Sequence, residues 1–216
     1  MNTTDARPIS QRFKEGCWDL HQTAEAGDFA RKMISGTLGR EAYVRMLEQS
    51  LAAMRPLDRA LKKHRAAVPA LAALIDDAQL HEQYLEADLR YFGVDPASVV
   101  PGSAARALAA RVAECEASDP LMLLGLHYVR EGANNGNHFV AKRLRMTLGL
   151  PERDGTRHLD PYGSSQRAVW DEFKRKLDEQ AFTPAQKDAL VETARSMFRA
   201  IIDLHHEADA AASVAR

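Results

Sequence analysis

His21 closes an apolar helical stripe made by Ile9, Phe13, Cys17 and Leu20, which recur at spacings of three and four. Glu25 follows one turn later, within reach of the second ring nitrogen. A neutral imidazole held this way is a good metal ligand; the same pattern also describes a core histidine satisfied by its neighbour. A second stretch, Glu131-Gly132-Ala133-Asn134-Asn135-Gly136-Asn137-His138, places two glycines and three asparagines inside an otherwise good helical pattern. The helix-propensity cost is roughly 3 kcal/mol, large against a whole-protein stability of about 5–15 kcal/mol. Phe139 to Leu150 resumes the helical pattern at once, so the spacing predicts a bent, continuous helix rather than a loop. Gly132 and Gly136 share one face and let the backbone approach a flat ligand closely. Close helix–helix packing through small residues is the other reading.

An apolar helix face carrying a neutral imidazole suits the iron of heme as axial ligand. Asp77 with His81, and Asp203 with His206, have spacings compatible with a metal on one helix face, but charge-rich helices produce such pairs by chance. His205-His206 beside Glu207 reads as solvated. No P-loop, dinucleotide fingerprint, zinc-ligand quartet or nucleophile elbow occurs.

The elements that must position these residues all read as helices. The His21 stripe ends at Gly27-Asp28, and a short helix over 29–34 stops at Ser35-Gly36. The next begins near Thr37 or Gly39, carries Tyr43, Met46, Leu47 and Leu51 on one side, and meets Pro56, a kinking residue. Residues 70–92 form one amphipathic stretch closed by Gly93. Ser103 caps 104–116, and Asp119 caps the following helix with Pro120 at its first position. Residues 151–165 form the longest non-helical stretch. Helices over 166–179 and 184–207, the latter capped by Thr183, end the chain. The reading is one all-α domain over 1–216, with 1–7 and 208–216 as flexible tails.

Composition agrees. Of 216 residues, 45% are hydrophobic, enough for a sizeable core, and only 6% are aromatic. A formal net charge of -1 gives no support for nucleic acid as a bulk partner, and the run Lys142-Arg143-Leu144-Arg145 reads as a solvated face. Cys17 and Cys115 have no metal-type spacing and read as free thiols in a reducing compartment. Neither a signal peptide nor an apolar run of membrane-spanning length is present, so the expectation is a soluble, cytoplasmic protein without a membrane partner.

Residues 12–25, RFKEGCWDLHQTAE, resemble the proximal helix of heme oxygenases, with a Phe-Lys-Glu start and then His-x-x-Ala-Glu. Residues 36–43, GTLGREAY, resemble that family's next turn and helix start, and 84–93, YLEADLRYFG, its central segment. His127 to Gly132, with Gly136, sit where its distal helix sits; Phe182-Thr183-Pro184 and 191–204 are similar to its last helix. The resemblance is collinear over nearly the whole chain. It implies an all-α fold holding heme between the first and the distal helix, and oxidation of heme by dioxygen to biliverdin, carbon monoxide and ferrous iron. Electrons would come from a separate reductase, ferredoxin or flavodoxin, and the protein would be a monomer or weak homodimer. His21 would be the proximal ligand and Glu25 its support. Gly132 and Gly136 would be the distal glycines, and Lys14 and Lys174 the cations that meet the propionates.

On the distal side the chain departs from the family pattern. Ala133 stands where many members carry a carboxylate, and Asn137 replaces the second glycine of a pair, with His138 following. Asn134, Asn135 or Asn137 would then order the distal water. If His138 instead reaches the iron, the protein is a heme carrier or sensor with His21 and His138 as paired ligands. A non-heme di-iron oxidase on the same fold would need carboxylates and histidines converging from three or more helices.

Overall fold

The computed structural model describes residues 7–214, with side chains through residue 210. Among these residues there are ten α-helices and no strand: α1 Ile9–Gly16, α2 Trp18–Ala26, α3 Asp28–Ser35, α4 Arg40–His64, α5 Pro69–Leu74, α6 Glu82–Tyr91, α7 Ser103–Ser118, α8 Leu123–Leu148, α9 Gln166–Asp178 and α10 Pro184–Val214. The expected N-terminal tail lies outside the described residues except for Arg7, which pairs with Glu15.

The helix ends are mostly where local chemistry puts them. Gly36 and Gly149 stop α3 and α8 in the left-handed region, at φ 74 and 63°, which costs glycine nothing. At the start of α10, Thr183 Oγ1 accepts from the Gln186 amide while Gln186 Oε1 accepts from the Thr183 amide, a reciprocal cap. Pro56 lies inside α4, which continues through it. The bent-helix reading of residues 127–138 is met by α8, which is unbroken across both glycines.

Three expectations are corrected. The first stripe is two helices, because Cys17 leaves helical geometry at φ -112°, ψ 3°. The 70–92 stretch is also divided. Asp76 accepts from the Ala78 and Gln79 amides, and the Gln79 side chain returns to the Asp76 amide, starting a short 3-10 turn at Asp77–Gln79 before α6. This capping pair outweighs the continuing periodicity. Finally, α10 passes the expected limit at 207, and Ala208 is buried.

Helix α10 is the central element, packed against α8, α4, α7, α1, α2 and α3. Its crossing with α8 depends on Gly125: a Cβ there would stand 2.5 Å from the Leu190 carbonyl oxygen and 2.9 Å from Thr193 Cβ. The core includes Phe13, Tyr43, Leu47, Leu51, Leu57 and Leu61, all fully buried and each stabilising by about 1.5–3 kcal/mol. The connection between α8 and α9 has no regular structure of its own up to Tyr162, yet it is firmly held. Tyr43 donates to the Gly155 carbonyl at 2.7 Å. The buried Asp88 carboxylate accepts from the Arg157 and His158 amides, each at 2.9 Å, and pairs with His158 Nδ1 at 2.8 Å.

Candidate active site

Helices α2 and α8 carry most of the residues singled out in the sequence. Both pack on α3 and on α10, while no extended packing joins α2 to α8. The two helices are therefore held in place by the same supports, α3 and α10.

On α2, His21 is partly exposed, its ring stacked on Trp18 (centroids 5.6 Å, planes 8° apart) and meeting the edge of Phe198 from α10 at 5.8 Å. Its Nδ1 is buried without a hydrogen bond, and Glu25 Oε2 stands 3.6 Å from it. That is too long for a hydrogen bond. The ring is thus held by packing, with Nδ1 turned to Glu25. Trp18, on the same helix, is 51% exposed.

On α8 the two glycines differ. A Cβ on Gly136 would meet nothing within 4 Å, so the helix backbone there faces open space. A Cβ on Gly132 would stand 3.1 Å from the indole of Trp170. Gly132 therefore serves the close-packing reading, and Trp170 of α9 occupies the face that the sequence assigns to a flat ligand. One turn past Gly136, Phe139 is 71% exposed. Exposed aromatics on α2 and α8 are surface that a large apolar ligand would cover.

The remaining residues fall into four places. Asn135 donates to the Gly132 carbonyl at 3.0 Å. Asn134 is fully buried and donates to Glu131 Oε2 at 3.5 Å. His138 Nδ1 pairs with Asp160 Oδ1 at 2.8 Å, and Arg145 holds the other oxygen at 3.0 Å. Asp160 consequently keeps its carboxyl below the ordinary range: burial raises it, and the His138 and Arg145 hydrogen bonds lower it further. Lys14 is exposed at the end of α1. Lys174 lies over the Trp170 ring at 5.6 Å and pairs with Asp171 at 3.0 Å.

Sequence reasoning missed a polar interior behind α8. Arg130, 3% exposed, pairs with Asp58, which is also buried, donates to the Gln79 carbonyl at 3.0 Å, and reaches His127 Nδ1 at 2.8 Å. Arginine only donates, so His127 Nδ1 accepts and its proton sits on Nε2. Burial and then the Arg130 charge push His127 well below its usual value. Glu131 is also fully buried, and its Oε2 accepts from Tyr162 at 3.1 Å. Burial raises Glu131 to about 7 against the lowering effects of Arg130 and the Tyr162 hydrogen bond. His205, expected to be solvated, instead stacks on Phe29 at 5.2 Å and is pushed down to about 4 by burial and by His206. Asp77 pairs with Arg65 at 2.7 Å. No group of three or more histidine, cysteine or carboxylate side chains converges as a metal site among the described residues. No helix among them is long and apolar enough to cross a membrane.

Comparison with known proteins agrees with this geometry. Heme oxygenase 1 of Pongo abelii is 24% identical over 205 residues, covering 92% of this chain and 71% of that protein. The structure of heme oxygenase-1 from the cyanobacterium Synechocystis in complex with heme superposes with a TM-score of 0.85 at 19% identity, over 93% of this chain and 92% of that one. Heme oxygenase-2 from the same organism, in complex with heme and NO, gives 0.89 at 22% identity, over 97% and 88%. The family model described as heme oxygenase matches residues 7–207. That match spans nearly the whole chain, and the chain belongs to the heme oxygenase family.

Proposed function

We propose that the protein binds heme between α2 and α8 and oxidises it with dioxygen to biliverdin, carbon monoxide and ferrous iron. The observation that carries this reading is a packed His21 on α2 together with the open backbone at Gly136 on α8, two helices that share α3 and α10 as supports.

The residues present fit the group. His21 has an orphaned, buried Nδ1 beside Glu25, the arrangement that leaves Nε2 as donor to iron. Gly136 gives the space a porphyrin edge requires, while Trp18 and Phe139 are apolar surfaces awaiting cover. Lys14 and Lys174 are the cations for the propionates; Lys174 would exchange part of its bond to Asp171 for this role. Gly132 contributes by admitting Trp170, whose ring, stacked on Phe173 at 5.6 Å, walls the cleft. When bound, heme supplies the iron that activates dioxygen and is itself the substrate. The electrons come from a separate reductase, ferredoxin or flavodoxin. Asn135 fixes the Gly132 carbonyl, and Asn134 holds polar contact on the buried side of the same turn.

Titration of the protein with hemin, followed by addition of a reductant in air, tests this. Expected are one-to-one uptake, a ferric spectrum with high-spin character, and conversion to biliverdin. A stable bis-histidine spectrum without turnover would make the protein a carrier, and no uptake would remove the heme reading altogether.

A further inference from the structure

Helices α4 and α7 leave a groove of about 540 Å3 between them, a volume in the range of small-molecule sites. No residue of α2 or α8 lines it, so it is separate from the surfaces assigned to heme. On α4, Ala52, Pro56 and Ala60 recur at a spacing of four and form one apolar wall. Ala109, Val112 and Ala113 of α7 form the other. Side chains this short leave the space between the helices unfilled.

Beside the first wall, Arg55, Arg59 and Lys63 follow α4 at the same spacing, so three cations stand along one edge of the groove. Their carboxylate partners are shared. Glu82 Oε1 accepts from Arg55 at 2.8 Å and from Arg59 at 3.1 Å. Glu116 Oε1 accepts from Lys63 at 3.0 Å and pairs with His64 at 2.9 Å. Glu86 is divided between Arg55 and Arg90. Arg59 and Lys63 therefore each make the longer bond to an oxygen that a more buried neighbour also uses. Both side chains are 68% exposed, against 23% for Arg55 and 19% for His64. Ion pairs this exposed are weak, because water competes for both partners. An arginine has five N–H donors and a lysine three, so the edge has donor capacity that its own carboxylates do not use.

The two halves of the groove select one kind of ligand. A purely apolar molecule leaves the cations unused, an inorganic anion leaves the walls bare, and a cation is repelled. A carboxylate head on an aliphatic chain satisfies both halves, the head by charge-assisted hydrogen bonds and the chain by covering alanine, valine and proline surface. We propose that the α4–α7 groove binds an amphipathic carboxylate of the fatty-acid type, its head between Arg59 and Lys63 and its chain along Ala60, Pro56 and Ala113. Glu82 and Glu116 keep Arg55 and His64 as partners when the head arrives.

Titration calorimetry of the heme-free protein with dodecanoate, kept below micelle formation, tests this. Expected is one site, with decanoate several-fold weaker as its shorter chain covers less apolar surface. The double variant Arg59→Gln/Lys63→Gln, whose glutamines are equally good helix formers, should bind about tenfold or more weakly. Ala113→Phe, which fills the groove from an exposed position, should block binding. Lys14→Ala/Lys174→Ala should bind like the parent. In the parent with isotope-labelled alanine methyl groups, dodecanoate should shift the resonances of Ala52, Ala60, Ala109 and Ala113, a readout that needs no variant to fold. Absence of binding, equal affinity in parent and Arg59→Gln/Lys63→Gln, or equal binding of dodecyltrimethylammonium would overturn the proposal. Loss of affinity in Lys14→Ala/Lys174→Ala instead, with methyl shifts outside the groove, would place the ligand at the surfaces assigned to heme and overturn it as well.

Discussion

The imidazole of His138 and the carboxylate of Asp160 are bonded at 2.8 Å, on the side of α8 away from the open backbone at Gly136. Two residues of α-helix turn the chain by about 200°, so His138 and Gly136 cannot present to the same ligand while the helix is continuous. His138→Ala should leave the pH-dependent spin-state change of the ferric heme complex intact. Because the pair is partly exposed, the stability loss should not exceed about 1 kcal/mol. A parent that is low-spin at every pH, with a mutant that becomes high-spin, would make His138 an iron ligand.

His21→Ala should abolish the normal axial complex while the helices persist, since the ring is partly exposed and stacks on Trp18 and Phe198. Added imidazole should restore much of the spectrum, because the lost group is one nitrogen donor. Circular dichroism with hemin titration measures both halves. An unchanged Soret band would remove His21 as ligand.

The two distal glycines should separate under mutation. Gly136→Leu should gain roughly 1 kcal/mol of helix propensity and stabilise the heme-free protein, but weaken hemin binding by filling the cleft. Gly132→Leu should destabilise even the heme-free protein, because Trp170 already stands 3.1 Å from the new Cβ. Chemical denaturation without heme reads the difference. Equal stabilisation by both would refute the distinction.

Lys14→Ala and Lys174→Ala should each weaken hemin affinity by about two- to tenfold, as expected of single cations at a partly exposed rim. Raising the salt concentration should shrink both effects. No change at low or high ionic strength would take both residues out of the site.

Stability should carry two pH dependences of opposite sign. His205 drops from 6.5 to about 4 on folding, so its contribution is present above pH 6.5 and is lost as pH falls toward 4. Glu131 rises from 4.5 to about 7, so its contribution is present below pH 4.5 and is lost as pH rises through 7. Each shift corresponds to roughly 3 kcal/mol at full extent. Denaturant unfolding between pH 4 and 8 should show Glu131→Gln gaining on the parent above pH 6, and His205→Phe gaining below it. Parallel curves for parent and variants would refute both assignments.

Much of this architecture is legible because it is local. The His21 and Glu25 spacing, the continuation of α8 through its glycines and the Thr183 cap are contained within one or two helical turns. The partners that give those residues their roles are remote in sequence. Nothing about Gly132 announces that Trp170 will fill its face, and Glu131 meets Tyr162 across 31 residues. His205 reads as solvated because its neighbours are polar, whereas Phe29 from another helix covers it. The Asp76 and Gln79 pair is a signal contained in the sequence but overridden there by the continuing apolar period.

The lacing of the α8–α9 connection bears on the order in which the molecule assembles. Its bonds reach back 112 residues to Tyr43 and 69 and 70 residues to Asp88. Closing loops of that length costs chain entropy that only already docked helices can repay. The C-terminal half of α8 relies on Thr156 and Asp160 of that connection to satisfy Arg145 and His138. That half of the helix therefore depends on a distant, loop-held support, and amide exchange along α8 should be faster toward its C-terminal end than beside Gly125, where it is locked to α10.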